Sequence, residues 1–143
     1  MPTQEVNQSR LKISTHDTFK ILLIDEDDNL LRKMMPLFNT MDVRVDHATN
    51  PAKAIILANR ISYDLVVLDI NQHTDNNLDL IKILREHQPN LDFITITGDN
   101  PRSMETSVRE LRVLYHLVKP FSTKELSSVI RHISKRSINN SRQ

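Results

Sequence analysis

The chain has 143 residues, the size of one ordinary domain, and contains neither Cys nor Trp, which excludes a disulfide scaffold and thiolate metal sites. Its longest apolar run, Ala54 to Ala58, is five residues, too short to span a bilayer. The net charge is +1, yet Lys119 to Gln143 carries six basic residues against one Glu, a local +5 that leaves −4 for the remainder. No aromatic interleaving or recognition motif accompanies the basic end, so it reads as a solvated helix face rather than a nucleic-acid surface.

Residues 1–18 are polar and lack the apolar core of a signal peptide, so they read as a flexible arm of a cytoplasmic protein. Ile21 to Ile24 is a short unbroken apolar run, the mark of a strand covered on both faces. It ends in Asp25, Glu26, Asp27 and Asp28, and the last two suit the cap of a following helix. That helix carries Leu30, Leu31, Met34, Met35, Leu37 and Phe38 at helical spacing, with Pro36 placed to bend or shorten it. Val43 to Asp46 alternates and predicts a half-exposed second strand. Asn50-Pro51 predicts a helix start, an Asn cap followed by Pro at the first helical position.

Tyr63-Asp-Leu-Val-Val-Leu-Asp69 is a third strand whose apolar run stops at an acid. A polar loop, Asn71 to Asn77, leads to a helix with Leu78, Leu80, Ile81 and Leu84 inward. Phe93 to Thr97 predicts a fourth strand, and Asn100-Pro101 opens another helix with Met104, Val108 and Leu111 on one face. Tyr115 to Val118 is a fifth strand, and Ser122 to Glu125 has the spacing of a capping box. With one glycine, Gly98, in the whole chain, the turns are expected to rely on Asn and Asp.

Strand and helix thus alternate five times. The pattern predicts a single three-layer α/β domain at 19–136, with a five-stranded parallel sheet in the flavodoxin-like order 2-1-3-4-5 and a frayed tail at 137–143. Such sheets bind ligands beyond the C-terminal strand ends, where the strand order reverses. Standing at those ends are Asp25 and Glu26, Asp69, Thr97 and Lys119. Crowded carboxylates call for a cation between them, and a hard divalent ion with oxygen ligands, Mg²⁺ first, answers that need. Lys119 adds a positive point charge and Thr97 a hydroxyl, a set that suits a phosphoryl group in transit, with Asp69 as the nucleophile that becomes an aspartyl-phosphate.

Four segments carry a resemblance to a known family. They are Ile21-Leu-Leu-Ile-Asp25-Glu26-Asp27, Tyr63 through Ile70, Ile94-Thr-Ile-Thr97-Gly98 and Leu117-Val-Lys119-Pro120-Phe121. In order and spacing they resemble the receiver domain of two-component response regulators, from Phe19 to about Ser134. The resemblance implies that Asp69 accepts phosphate from a sensor histidine kinase or phosphotransfer protein. It implies that Asp25, Glu26, Asp69 and the backbone carbonyl of Asn71 hold Mg²⁺, that Thr97 and Lys119 contact the phosphoryl group, and that Lys119-Pro120 is cis. Asn71 and Asp99 occupy positions that influence phosphate lifetime in this family.

The sequence departs from the pattern at Glu26, where a second Asp is usual, and in the loop after Asp69. His116 stands where the switch aromatic is Tyr or Phe, and Arg112-Val113 where Gly-Ala is usual. The expected protein is a stand-alone switch, not an enzyme, with Thr97 and His116 as switch residues. Its output would be protein–protein contact or homodimerisation through the face of helix 4, strand 5 and helix 5. One alternative is a pseudo-receiver binding module that no longer takes phosphate. The other is a Mg²⁺-dependent phosphatase using Asp25 and Asp27, which would leave Asp69 without a role.

Overall fold

The structure, a computed structural model, describes residues 18–70, 76–98 and 102–141. The elements are β1 (Phe19–Ile24), α1 (Asn29–Phe38), β2 (Val43–Ala48), α2 (Pro51–Arg60), β3 (Leu65–Ile70), α3 (Asn76–His87), β4 (Asp92–Thr97), α4 (Arg102–Glu110), β5 (Tyr115–Val118) and α5 (Thr123–Ser141). The strands form one sheet in the order β2-β1-β3-β4-β5, every pair parallel, as the alternation of elements requires. Among the described residues no helix is long and apolar enough to cross a membrane.

Alternation along the strands divides the core in two. Ile21, Leu23, Leu65, Val67, Ile94 and Ile96 face α1 and α5, against Met34, Phe38, Leu126 and Ile130. Leu22, Ile24, Val66, Leu68 and Phe93 face α2 and α3, against Ala54, Ala58, Leu80, Ile81 and Leu84. β1 and β3 therefore carry continuous apolar runs, and β4 is buried on both faces with Thr95 and Thr97 among its covered residues.

Local signals act where expected. The Asn50 side chain accepts a hydrogen bond from the Lys53 amide at 2.8 Å, with Pro51 next to it at the helix start. Ser122 Oγ accepts from the Glu125 amide at 3.0 Å. Pro36 lies inside α1, on its exposed side, and the helix continues to Phe38. Helix α5 runs to Ser141, past the end of the 19–136 unit, because no Gly or Pro interrupts its pattern. Residues 1–17 of the predicted arm at 1–18, residues 71–75 of the loop and the cap at Asn100-Pro101 lie outside the described residues.

Asp27 and Asn50 support turns and helix starts through their side chains, as expected for a chain with one glycine. Among the described residues the only left-handed backbone belongs to Arg112, with φ 57°. Arg85 on α3 explains how that turn is held. Its guanidinium donates to the carbonyls of Leu111 and, at 3.0 Å, Arg112, and lies 5.0 Å from the centroid of the Phe93 ring. Carbonyls left over at the end of α4 are thereby satisfied by a neighbouring helix.

Candidate functional site

Strand parity builds the site. Asp25 continues the Ile21, Leu23 series, Asp69 the Leu65, Val67 series, and Lys119 stands two residues beyond Leu117. All three therefore emerge from the C-terminal edge on the α1/α5 side. Register brings the strands level: Ile24 pairs with Leu68, so Asp25 and Asp69 end adjacent strands side by side. Lys119 Nζ reaches across from the end of β5 and donates to Asp69 Oδ2 at 2.8 Å. The Lys119-Pro120 peptide is cis, as the resemblance implies.

These groups open onto a cleft of about 350 Å³ lined by Asp25, Asp27, Asn29, Leu30, Lys33, Asp69, Lys119, Pro120, Phe121 and Thr123. Asp25 is nearly buried, 8% exposed, and its carboxyl is pushed up from 3.8 to about 6. Burial is the main cause, and the charges of Asp69 and Asp27 add to it, against the Asp27 backbone hydrogen bond and Lys119. Burial likewise raises Asp69, with Lys119 opposing. Burial would lower the Lys119 ammonium, but its hydrogen bond to Asp69 and the surrounding carboxylates hold it above its usual value. Negative charge is in excess in this cleft.

Two backbone contacts fix Asp25. Its amide donates to the Ala48 carbonyl at 3.0 Å, and its carbonyl lies 3.2 Å from His47 Nε2, which must be the donor because a carbonyl only accepts. Thus the outer strand β2 anchors the peptide of Asp25 from both ends. Asp27 does two jobs: its Oδ1 caps α1 by accepting from the Asn29 amide at 2.9 Å, and its charge reaches Asp25 and Asp69. Asp28 lies outside the cleft, paired with Arg32 at 2.9 Å.

The remaining expected site residues are placed less centrally. Glu26 is exposed and does not line the cleft, although its charge is felt by Asp69. Thr97 is fully buried at the end of β4, with parity opposite to Asp69, and its carbonyl accepts from the Lys119 amide at 2.8 Å. His116 lies on that same opposite face, where its Nδ1 meets Thr95 Oγ1 at 2.7 Å. Asn71 and Asp99 lie outside the described residues. Sequence reasoning overlooked His47, Thr95 and Lys33, and saw Asp27 only as a cap or as part of a phosphatase motif. Lys33 was legible, since Asn29 and Lys33 share a helix face by spacing; His47 became visible only through strand pairing.

The donor set fits a hard divalent cation. Asp25 and Asp69 supply carboxylate oxygens whose mutual repulsion such an ion would relieve. Among the described residues no three acidic or imidazole groups cluster closely enough to hold a metal ion on their own.

The parallel α/β sheet, with an acidic cleft and one lysine placed where the strand order reverses, defines a flavodoxin-like domain with a ligand site at its switch point. The model of the response regulator receiver domain matches residues 21–131, and the chain belongs to this family. The probable transcriptional regulatory protein SilR of Salmonella typhimurium is 30% identical over 117 residues, 82% of this chain and 51% of SilR, so the chain spans about half of that relative's length. Sporulation initiation phosphotransferase F of Bacillus subtilis is 24% identical over 112 residues, 78% of this chain and 90% of that protein. The CheY-like receiver domain protein of Methanospirillum hungatei has the same fold, with TM-score 0.76 at 15% identity, covering 86% of this chain and 99% of that one. Receiver domains are the phosphorylation-dependent switch units of two-component response regulators.

Proposed function

We propose that residues 19–136 form a Mg²⁺-dependent phosphoacceptor switch with Asp69 as the acceptor. The observation that carries this reading is the Lys119 Nζ–Asp69 Oδ2 contact of 2.8 Å inside a cleft whose neighbouring carboxyl, Asp25, is pushed up to about 6. A carboxylate held by one ammonium beside repelling acids is oriented for attack, and a bound cation completes the neutralisation. Lys119 holds Oδ2, so Oδ1 attacks phosphorus of a phosphohistidine on a sensor kinase or phosphotransfer protein. The P–N bond breaks and the imidazole nitrogen leaves with the electron pair and takes up a proton. Asp25, Glu26, Asp69 and the Asn71 backbone carbonyl would hold the ion, which when bound would neutralise phosphoryl oxygens.

Thr97 and Lys119 then contact the phosphoryl group. Thr97 and His116 pass its presence to the face of α4, β5 and α5, where a partner protein or a second copy reads it, and Asn71 and Asp99 set how long it lasts. The cytoplasm is the compartment that suits such a switch.

The test is to incubate the chain with phosphoramidate or acetyl phosphate and Mg²⁺ and weigh the intact protein. One phosphoryl mass is expected on the wild type and none on Asp69→Asn. No gain, or a gain that survives Asp69→Asn, defeats the proposal. The exposed position of Glu26 favours a second reading, a binding module that takes no phosphate, and the same measurement separates the two.

A further inference from the structure

Helix α1 forms one wall of the cleft with Asn29, Leu30 and Lys33. These positions share one face of a helix, so the first turns of α1 present an ammonium to the same space as the carboxylates. Three carboxylates, Asp25, Asp27 and Asp69, and two ammoniums, Lys33 and Lys119, line the cleft. Lys119 is committed to Asp69. Lys33 is exposed, and among the described residues it makes neither a hydrogen bond nor an ion pair. An unpaired cation in a cleft of excess negative charge is available to an incoming anion.

The geometry of displacement says which part of that anion it meets. The attacking and leaving atoms stand in line through phosphorus. The Asp69 side chain is only 10% exposed and Lys33 is exposed on the same cleft, so a group leaving in line from Asp69 departs toward the solvent side that Lys33 lines.

We propose that Lys33 recognises the leaving group of small acyl phosphates and thereby sets the preference of this chain among low-molecular-weight phosphodonors. The inference rests on Asp69 being the phosphoacceptor. In the step it assists, Asp69 Oδ1 forms a bond to phosphorus while the P–O bond to the acyl group breaks. The acyl oxygen keeps the electron pair and departs as a carboxylate, with no proton transfer required. Negative charge grows on that carboxylate as the bond breaks, so the Lys33 ammonium acts more strongly on the transition state than on the bound donor. A phosphoramidate donor differs at this one point: its nitrogen already carries a third proton near neutral pH, so when the P–N bond breaks the nitrogen keeps the electron pair and leaves as neutral ammonia, which offers Lys33 nothing to hold.

The experiment compares rates of phosphorylation by acetyl phosphate and by phosphoramidate, with Mg²⁺ present, for the wild type, Lys33→Met and Lys33→Arg. Intact mass is followed over time. The ratio of the two rates should fall about three- to fivefold in Lys33→Met, the size of one exposed charge contact. It should be restored in Lys33→Arg and shrink with added salt. Reaction with phosphoramidate on the same sample shows that the Lys33→Met site is folded. A ratio unchanged by Lys33→Met, or rates that drop equally for both donors, overturns the role of Lys33. A wild type that gains no mass from either donor overturns the Asp69 reading itself, and this inference with it.

Discussion

Replacing Asp25 by Asn should make the metal-free protein more stable while removing its response to Mg²⁺. The carboxyl of Asp25 is raised from 3.8 to about 6, first by burial and then by Asp69 and Asp27. Its ionised form is therefore penalised in the folded state. At about 1.36 kcal/mol per pH unit, the gap is worth about 3 kcal/mol at neutral pH as a ceiling. An amide recovers only part of this, because it too is costly to bury, though its oxygen can still accept from the Asp27 backbone. A gain of about 1–2 kcal/mol is expected, or about 5 °C in melting temperature for a domain of this size.

The pH dependence has a definite sign. The penalty is full above about 6, fades as pH falls toward 3.8 and is absent below it, where Asp25 is protonated folded or unfolded. Thermal unfolding in EDTA should thus separate Asp25→Asn from the wild type near neutral pH and bring them together in acid. Added Mg²⁺ should raise the melting temperature of the wild type and leave that of the variant nearly unmoved. A variant that melts at or below the wild type in EDTA at neutral pH would refute the reasoning, as would a gain of equal size in acid.

Two further variants test packing away from the site, near the N-terminal ends of β3 and β5. Arg112→Gly should stabilise the chain by about 0.5–1 kcal/mol in urea unfolding, because a residue with φ 57° carries a left-handed penalty that glycine avoids, while the Arg85 contacts are to backbone and survive. Equal or lower stability would place the strain elsewhere. Tyr63→Phe should cost about 1–2 kcal/mol by the same assay, since the buried phenol donates to Asp46 Oδ2 at 2.6 Å and its loss leaves a half-buried acceptor with only Arg44 beside it. A change within error would show that water replaces the phenol without loss.

Much of this protein was legible in its sequence because its signals are local. A four-residue apolar run ending in acid marks a buried strand and its exit, and that reasoning located β1 and β3 with Asp25 and Asp69 at their ends. Asn50-Pro51 and Ser122 with Glu125 announced their helices because capping is a matter of three or four residues. Alternation of strand and helix implied the parallel sheet, since each crossover needs a helix to return the chain. The family motifs tied these ends together and anticipated the cis Lys119-Pro120 bond.

What depended on the tertiary structure was which side chains share a space. Strand ends are points on a line in sequence, whereas side chains leave them alternately to two faces. Asp25, Asp69 and Lys119 leave on the α1 and α5 side, Thr97 and His116 on the other. Asp27 and Lys33 belong to the cleft because α1 packs beside it, and His47 reaches Asp25 only because β2 pairs with β1 in one register. Arg85 finds the end of α4 from another helix altogether. Sequence determined the elements and the identity of the acids, because periodicity and capping are short-range. Packing decided the company each acid keeps, because contacts between distant segments exist only once the sheet has set their register.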